Sequence, residues 1–263
     1  MSKEINIGLI GFGNMGQAMV QGLLKTKSVQ AGNVWACARN KEKLQKNCDE
    51  LGIHACRDAE EVVSNSDLVL LAVKPYQLQE VLEPIKEQLK EKIVVSIAAG
   101  KPFAELEKML SQGTAHLSII PNTPIATGNG VIVCEQTHSL NEEQLALFAS
   151  LFSPCAQLIY VETNLLSVAG TISGCGPAFV FLMIEALGDA GVKYGLDRKS
   201  AYTLASAMIK GSGALQLESA QHPGALKDAV CSPKGTTIKG ISALEERGFR
   251  SALIHAIDAI EGK

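Results

Sequence analysis

Ile5-Asn-Ile-Gly-Leu-Ile-Gly-Phe-Gly-Asn-Met-Gly16 is the stretch whose reading decides the fold. Apolar residues lead into Gly11-x-Gly13-x-x-Gly16, and beyond Asn14 the residues Met15, Met19, Leu23 and Leu24 recur at helical spacing. Strand, tight turn and helix start follow in the order a dinucleotide-binding unit requires. Gly11 permits the turn, Gly13 lets the backbone approach a pyrophosphate, and Gly16 lets the helix pack close to the sheet. The helix start offers free N–H groups and partial positive charge to phosphates. Gly11, Phe12, Gly13, Asn14, Met15 and Gly16 are therefore expected cofactor contacts. The alternative is a glycine-rich turn that binds nothing.

Downstream of this unit, residues 33–38 read as a second strand that ends at Arg39-Asn40-Lys41, with Lys43 beyond. No acid stands where a ribose 2′-hydroxyl would need one, and an arginine suits a 2′-phosphate. Arg39 and Asn40 thus point to NADP over NAD; a solvated basic helix start is the other reading. Residues 41–51 read as helix closed by Gly52, residues 53–56 as a short strand, and Asp58 with Glu61 as the cap of a short helix. Residues 68–73 form a continuous apolar run, as in a strand buried on both faces. It stops at Lys74-Pro75, and a helix is expected from Pro75 to about Lys90. Ligands of open α/β sheets gather at the carboxyl ends of strands, which places Ala72, Val73, Lys74 and Pro75 near the cofactor; a lone exposed lysine is the other reading of Lys74. Residues 93–98 repeat the pattern and bring Ala98 to the same rim, and Pro102 opens the next helix. A strand at 116–120, the rigid Pro121-Asn-Thr-Pro124 loop, a strand at 131–134, a helix at 141–152 and a strand at 157–161 complete a first domain, residues 1–161.

From Glu162 strand-like runs disappear, and Ala, Leu and Gly at helical spacing dominate. Residues 162–263 are expected to be an all-α domain, with helices over 165–172 and 177–191 separated by Gly174-Cys175-Gly176-Pro177. Leu204, Met208 and Leu215 stripe a later helix, and the spread of apolar residues suits an isologous dimer. The chain has 263 residues, 46% of them hydrophobic, and a net charge of −3. Nothing there suggests nucleic acid or an anionic membrane as a partner. No apolar run is read as reaching the ~18 residues of a membrane span. The start runs directly into a strand without a visible signal peptide. Seven scattered cysteines without a C-x-x-C pair suit reduced thiols in a cytoplasmic protein, and no metal site is expected.

Residues 222–240 hold Ser232-Pro-Lys-Gly-Thr-Thr237, small residues at a helix start. Exposed N–H groups there make an anion nest suited to a carboxylate, with the hydroxyls of Ser232, Thr236 and Thr237 adding directional partners. An ordinary capped helix start is the other reading. Nearby, His222 is either a general acid or the start of a His-Pro helix.

Six ordered motifs resemble pyrroline-5-carboxylate reductase over essentially the whole chain. They are residues 10–16, Ala72-Val-Lys-Pro75, Ser96-Ile-Ala-Ala-Gly100, Pro121-Asn-Thr-Pro124, Ser173-Gly-Cys-Gly-Pro-Ala178 and the stretch 226–244. The resemblance implies an N-terminal Rossmann-type domain and an all-α dimerisation domain, with dimers that often assemble into decamers. It implies hydride transfer from NADPH, with NADH possible, to 1-pyrroline-5-carboxylate, giving L-proline. It further implies that the backbone around Ser232, Gly235 and Thr236 holds the substrate carboxylate, and that Thr237 meets the ring nitrogen. Three positions depart from the family pattern: Lys234 replaces a glycine, Cys175 a serine, and Ser118 an arginine.

The residues agree with imine reduction independently. A carbonyl reductase manages a proton on oxygen, usually through Lys or His. Residues 162–190 contain no Lys, Arg or His. An imine can arrive already protonated, so little acid–base machinery is needed and catalysis can rest mainly on positioning and electrostatics. Reduction of another small imine or oxo acid, and an NADP-sensing protein without catalysis, are the competing readings.

Overall fold

The computed structural model describes residues 5–262; residues 1–4, to which the reading of the chain start extends, and Lys263 lie outside them. Eight strands form one sheet: β1 (Ile7–Ile10), β2 (Val34–Cys37), β3 (His54–Ala55), β4 (Leu68–Leu71), β5 (Ile93–Ser96), β6 (Ala115–Pro121), β7 (Gly130–Glu135) and β8 (Ala156–Val161). Their spatial order is 3-2-1-4-5-6-7-8. All neighbours are parallel except β6 and β7, which pair antiparallel across the Pro-Asn-Thr-Pro turn. The chain leaves β1 toward β2 on one side and returns to β4 on the other. The crevice between the carboxyl ends of β1 and β4 is therefore the switch point where open sheets bind ligands.

Helices α1 (Asn14–Lys25), α2 (Lys41–Leu51), α3 (Ala59–Ser64), α4 (Leu78–Leu82), α5 (Phe103–Glu107) and α6 (Glu142–Phe152) accompany the sheet. β1 and β4 are buried along their whole length, because helices cover both faces. One core layer gathers Ile7, Leu9, Met19, Leu23 and Phe148; the other gathers Ile10, Val62, Leu71, Leu78 and Ile85. α2 is capped by Asn40, whose Oδ1 accepts from Lys43 N–H, and closes on Gly52 at φ 69°. Asp58 caps α3 by accepting from Glu61 N–H at 2.9 Å; the Glu61 carboxylate in turn accepts from Arg57 N–H rather than from Asp58. The helix expected over 75–90 is shorter. A 3-10 turn Pro75–Gln77 runs into α4 and stops at Leu82, because Pro84 has no N–H to continue the ladder. A second 3-10 turn covers Gln88–Glu91.

After β8 the chain is helical: α7 (Leu166–Gly170), α8 (Gly176–Lys193), α9 (Arg198–Ser219), α10 (Pro223–Ala229), α11 (Thr236–Glu246) and α12 (Phe249–Glu261). Two of its features differ from expectation. Gly174-Cys175-Gly176-Pro177 is no loop: a π-helical turn, Thr171–Cys175, joins α7 to α8 without a break. The whole run Thr163–Lys193 is also long and apolar enough to cross a membrane by length and composition. Ser167, Thr171 and Ser173 break the strictly apolar run, while no charged residue stands between Glu162 and Glu185.

The chain divides into two compact units, Met1–Pro177 and Ala178–Lys263. The change of composition comes earlier, at 162. The first turns after it are physically part of the sheet unit: Leu166, Gly170 and Thr171 are buried, and a Cβ on Gly170 would lie 2.6 Å from Ile120 Cδ1.

Candidate active site

A cavity of about 1040 Å³ opens at the switch point. Gly11 can take the turn after β1 only as glycine: its φ is +97°, and a Cβ would sit 2.5 Å from Ala72 O. A Cβ on Gly16 would lie 3.0 Å from Gly11 O, so helix and turn pack backbone to backbone. Gly13 differs, since nothing lies within 4 Å of a Cβ there, and the missing side chain leaves open cavity above the backbone. Gly13 is also the N-cap of α1, with no side-chain cap and no acid in the first turn. Asn40, Asp58 and Asn141 do cap α2, α3 and α6. The first N–H groups of α1 are thus left for a ligand, and an anion suits them.

Gly11, Gly13, Asn14, Met15, Gly16, Arg39, Ala72, Val73, Lys74, Pro75 and Ala98 all border this cavity. Two expected residues do not. The Phe12 side chain belongs to the core, and its carbonyl accepts from Gln17 Nε2 at 3.1 Å. Asn40 spends its side-chain oxygen on the α2 cap. An Asn before a helix reads alike as cap or as ligand, and here the cap wins. Sequence reasoning missed Lys41 and Arg57, which border the cavity on the same side as Arg39. Lys41 Nζ donates to Arg57 O, tying the start of α2 to the β3–α3 loop. Arg39 rests 3.5 Å from the Glu80 carboxylate, and Arg57 donates to Asp58 at 2.8 Å. The signal for Arg57 was its place directly after the third strand. On the far side, beyond β1, β4 and β5, the wall is made by Ile120, Pro121, Thr123 and Gly174.

A smaller cavity of about 480 Å³ adjoins that wall and shares Ala98, Ala99, Ile120 and Gly174 with it. Ser118 and Cys175 face it. Ser118 Oγ donates to Lys101 O at 3.0 Å. Among the described residues no cluster of His, Cys, Asp or Glu could hold a metal. Burial pushes the thiols of Cys56 and Cys134 up to about 12, and those of Cys48 and Cys155 up to about 11. These thiols act as small apolar residues, not nucleophiles.

Comparison with known proteins fits this geometry. Residues 163–263 match the family described as pyrroline-5-carboxylate reductase dimerisation, and residues 6–100 match NADP oxidoreductase coenzyme F420-dependent. A pyrroline-5-carboxylate reductase of Treponema pallidum is 45% identical over 97% of this chain and 98% of its own. One of Methanosarcina acetivorans is 39% identical over 95% and 93%. The crystal structure of Plasmodium falciparum pyrroline carboxylate reductase with NADP bound superposes with a TM-score of 0.86 at 30% identity, covering 98% of this chain and 96% of that one. The chain belongs to the pyrroline-5-carboxylate reductase family.

The family's helical region self-associates, and this chain is built for that. Among the described residues beyond Pro177, Ala201 and Ala205 are the buried hydrophobic side chains, whereas Phe181, Leu182, Leu204, Met208 and Leu217 are more than half exposed. Within the helical unit, Ser232, Thr236 and Thr237 are exposed and Gly235 is half-buried. Gly235 N–H donates to Ser232 O at 3.0 Å, and a Cβ on Gly235 would meet Ser232 Oγ at 2.4 Å. Gly235 is the N-cap of α11, again without a side-chain cap. Lys234, where the family pattern has glycine, sits at φ 62°, so the position does ask for glycine. His222 is an N-cap: its Nδ1 accepts from Gly224 N–H at 3.0 Å, which occupies that nitrogen.

Proposed function

We propose that this protein reduces 1-pyrroline-5-carboxylate to L-proline with NADPH, closing proline biosynthesis. The observation that carries this reading is the cradle at Gly11–Gly16. It is an uncapped helix start beside a glycine without a neighbour, with three cations gathered at one end of the cavity. That donor set fits NADPH. The α1 N–H groups and the bare backbone at Gly13 hold the pyrophosphate, and Arg39 holds the 2′-phosphate, with Lys41 and Arg57 beside it. NADH lacks that phosphate and is the weaker cofactor.

When bound, NADPH supplies the hydride. The chain's residues bind and orient. We assign the substrate carboxylate to the backbone N–H groups around Ser232, Gly235 and Thr236 at the start of α11, where no side chain competes. The Thr237 hydroxyl accepts from the protonated ring N–H and fixes the face of the C=N bond presented for reduction. No residue need deliver a proton to nitrogen, because an iminium accepts hydride to give the amine directly.

Residues 1–161 serve as the cofactor domain and residues 162–263 as the dimerisation and substrate domain, in keeping with the family match that begins at 163. Dimers assemble further into decamers. The protein works in the cytoplasm, a setting that suits seven free thiols. Nucleic acid and membrane are not partners.

The test is NADPH oxidation with 1-pyrroline-5-carboxylate, NADH in parallel, and proline identified as product. Rapid turnover favouring NADPH is expected. NADPH binding without turnover would favour a sensor or another substrate. Thr237→Ala should lower turnover about 10-fold or more while NADPH affinity stays unchanged. Unchanged turnover would remove Thr237 from the mechanism.

A further inference from the structure

Asn122 is buried, 5% exposed, between two motifs whose geometry depends on it. Its N–H donates to Val131 O at 3.2 Å, and its Oδ1 accepts from Val131 N–H at 2.9 Å. Its Nδ2 donates to Ser173 O at 2.9 Å, across 51 positions of chain. That carbonyl cannot have the usual α-helical partner. In an α-helix Ser173 O would accept from the N–H four residues later, but residue 177 is proline and has none. Asn122 supplies the donor from outside the helix. The helix is π-wound over this same turn, Thr171–Cys175, a geometry that recurs at functional sites.

The turn forms a wall. Gly174 borders both the main cavity and the smaller one beside it, and Cys175 borders the smaller. A cofactor held with its phosphates at the α1 start and Arg39 on the β2 side would bring its reacting end toward β5, β6 and this turn. The other end of the Asn122 bond is equally fixed. Ile125, in the 3-10 turn Thr123–Thr127, is fully buried, and a Cβ on Gly22 of α1 would lie 2.4 Å from Ile125 O.

We infer that Asn122 is a positioning residue for hydride transfer: by holding Ser173 O it sets the π-turn that walls the reacting end. The inference rests on the reductase reading, so wild-type turnover is measured first. Its absence would overturn that reading, not this one.

The experiment is a cycle on the full-length protein: Asn122→Ala, Pro177→Ala and the pair, read by melting temperature, NADPH affinity from fluorescence titration, and steady-state rates. Pro177→Ala gives the helix its own donor for Ser173 O. For Asn122→Ala the expectation is a kcat lowered roughly 10- to 100-fold with NADPH affinity within about 3-fold, as for a misplaced reacting geometry. In the pair the melting temperature rises above that of Asn122→Ala, but kcat stays at the level of the worse single variant, since both lesions act on one turn. If kcat recovers with the melting temperature, if the two losses multiply, or if folded Asn122→Ala turns over like wild type, the inference is overturned. Should Asn122→Ala not fold, Asn122→Asp takes its place in the cycle, keeping the acceptor for Val131 N–H but no donor for Ser173 O.

Discussion

The sheet unit and the helical unit solve the burial problem in opposite ways. Up to Pro177 the chain packs two core layers against one sheet and leaves few large apolar side chains in water. Beyond it, two alanines are the buried hydrophobic side chains among the described residues, while Phe181, Leu182, Leu204 and Leu217 are exposed. Single glycines show both extremes: a Cβ on Gly22 of α1 would lie 2.4 Å from Ile125 O and one on Gly211 of α9 would meet nothing within 4 Å, although Gly188 of α8 is as tight, 2.3 Å from Tyr202. A helix face so apolar and so bare marks a surface completed by a second copy. One unit is finished by its own chain and supplies the cofactor cradle; the other is finished by association.

The sharpest way to break this contrast is to put charge on the bare face. Leu204→Asp should cost about 2 kcal/mol or more per copy on association, because a carboxylate would be buried without a partner. Size-exclusion chromatography should show smaller species that still bind NADPH. An unchanged assembly would mean that α9 lies outside the interface. Next in size is the glycine pair. Gly22→Ala should destabilise by about 1–3 kcal/mol, since Ile125 O must move. Gly211→Ala should stay within about 1 kcal/mol and favour the helix. Thermal melts compare them, and equal losses would erase the distinction.

Much of this was legible from residues alone. The strands β1, β4 and β5 show as apolar runs bounded by glycine, proline or polar residues, because strands buried on both faces need such runs. The Asp58 and Gly52 helix boundaries follow from short-range chemistry. What was not legible depends on partners distant in sequence. Gly-Cys-Gly-Pro reads as a loop by composition, yet the chain continues there as a π-helical turn, with Asn122 donating to Ser173 O from 51 positions away. Of the basic residues that border the cavity beside β2 and β3, Arg39 was visible from its place after β2. Arg57 joins it only because β3 pairs with β2 in register. Pro84 was a plain stop signal, and the expected helix to Lys90 ran through it.

Two smaller effects sharpen the contrast at single residues. Arg39→Ala should raise the Michaelis constant for NADPH about 10-fold, the worth of one charge-assisted contact at an exposed site, and barely change that for NADH. Steady-state kinetics with both cofactors decide it, and equal effects would refute the assignment. Lys234→Gly should stabilise by about 1 kcal/mol, relieving a lysine held at positive φ. Denaturant unfolding reads it directly. A destabilised variant would mean that the lysine side chain makes up for its backbone strain.

The most direct measurement is proline formation from 1-pyrroline-5-carboxylate and NADPH, made in parallel on wild type and Leu204→Asp, with NADPH binding followed on both. Wild type should form proline at a high rate, and the dissociated variant should bind NADPH yet form little proline. Equal proline formation by a dissociated variant would contradict a helical unit completed by its partner. No proline from NADPH-binding wild type would contradict the reductase itself.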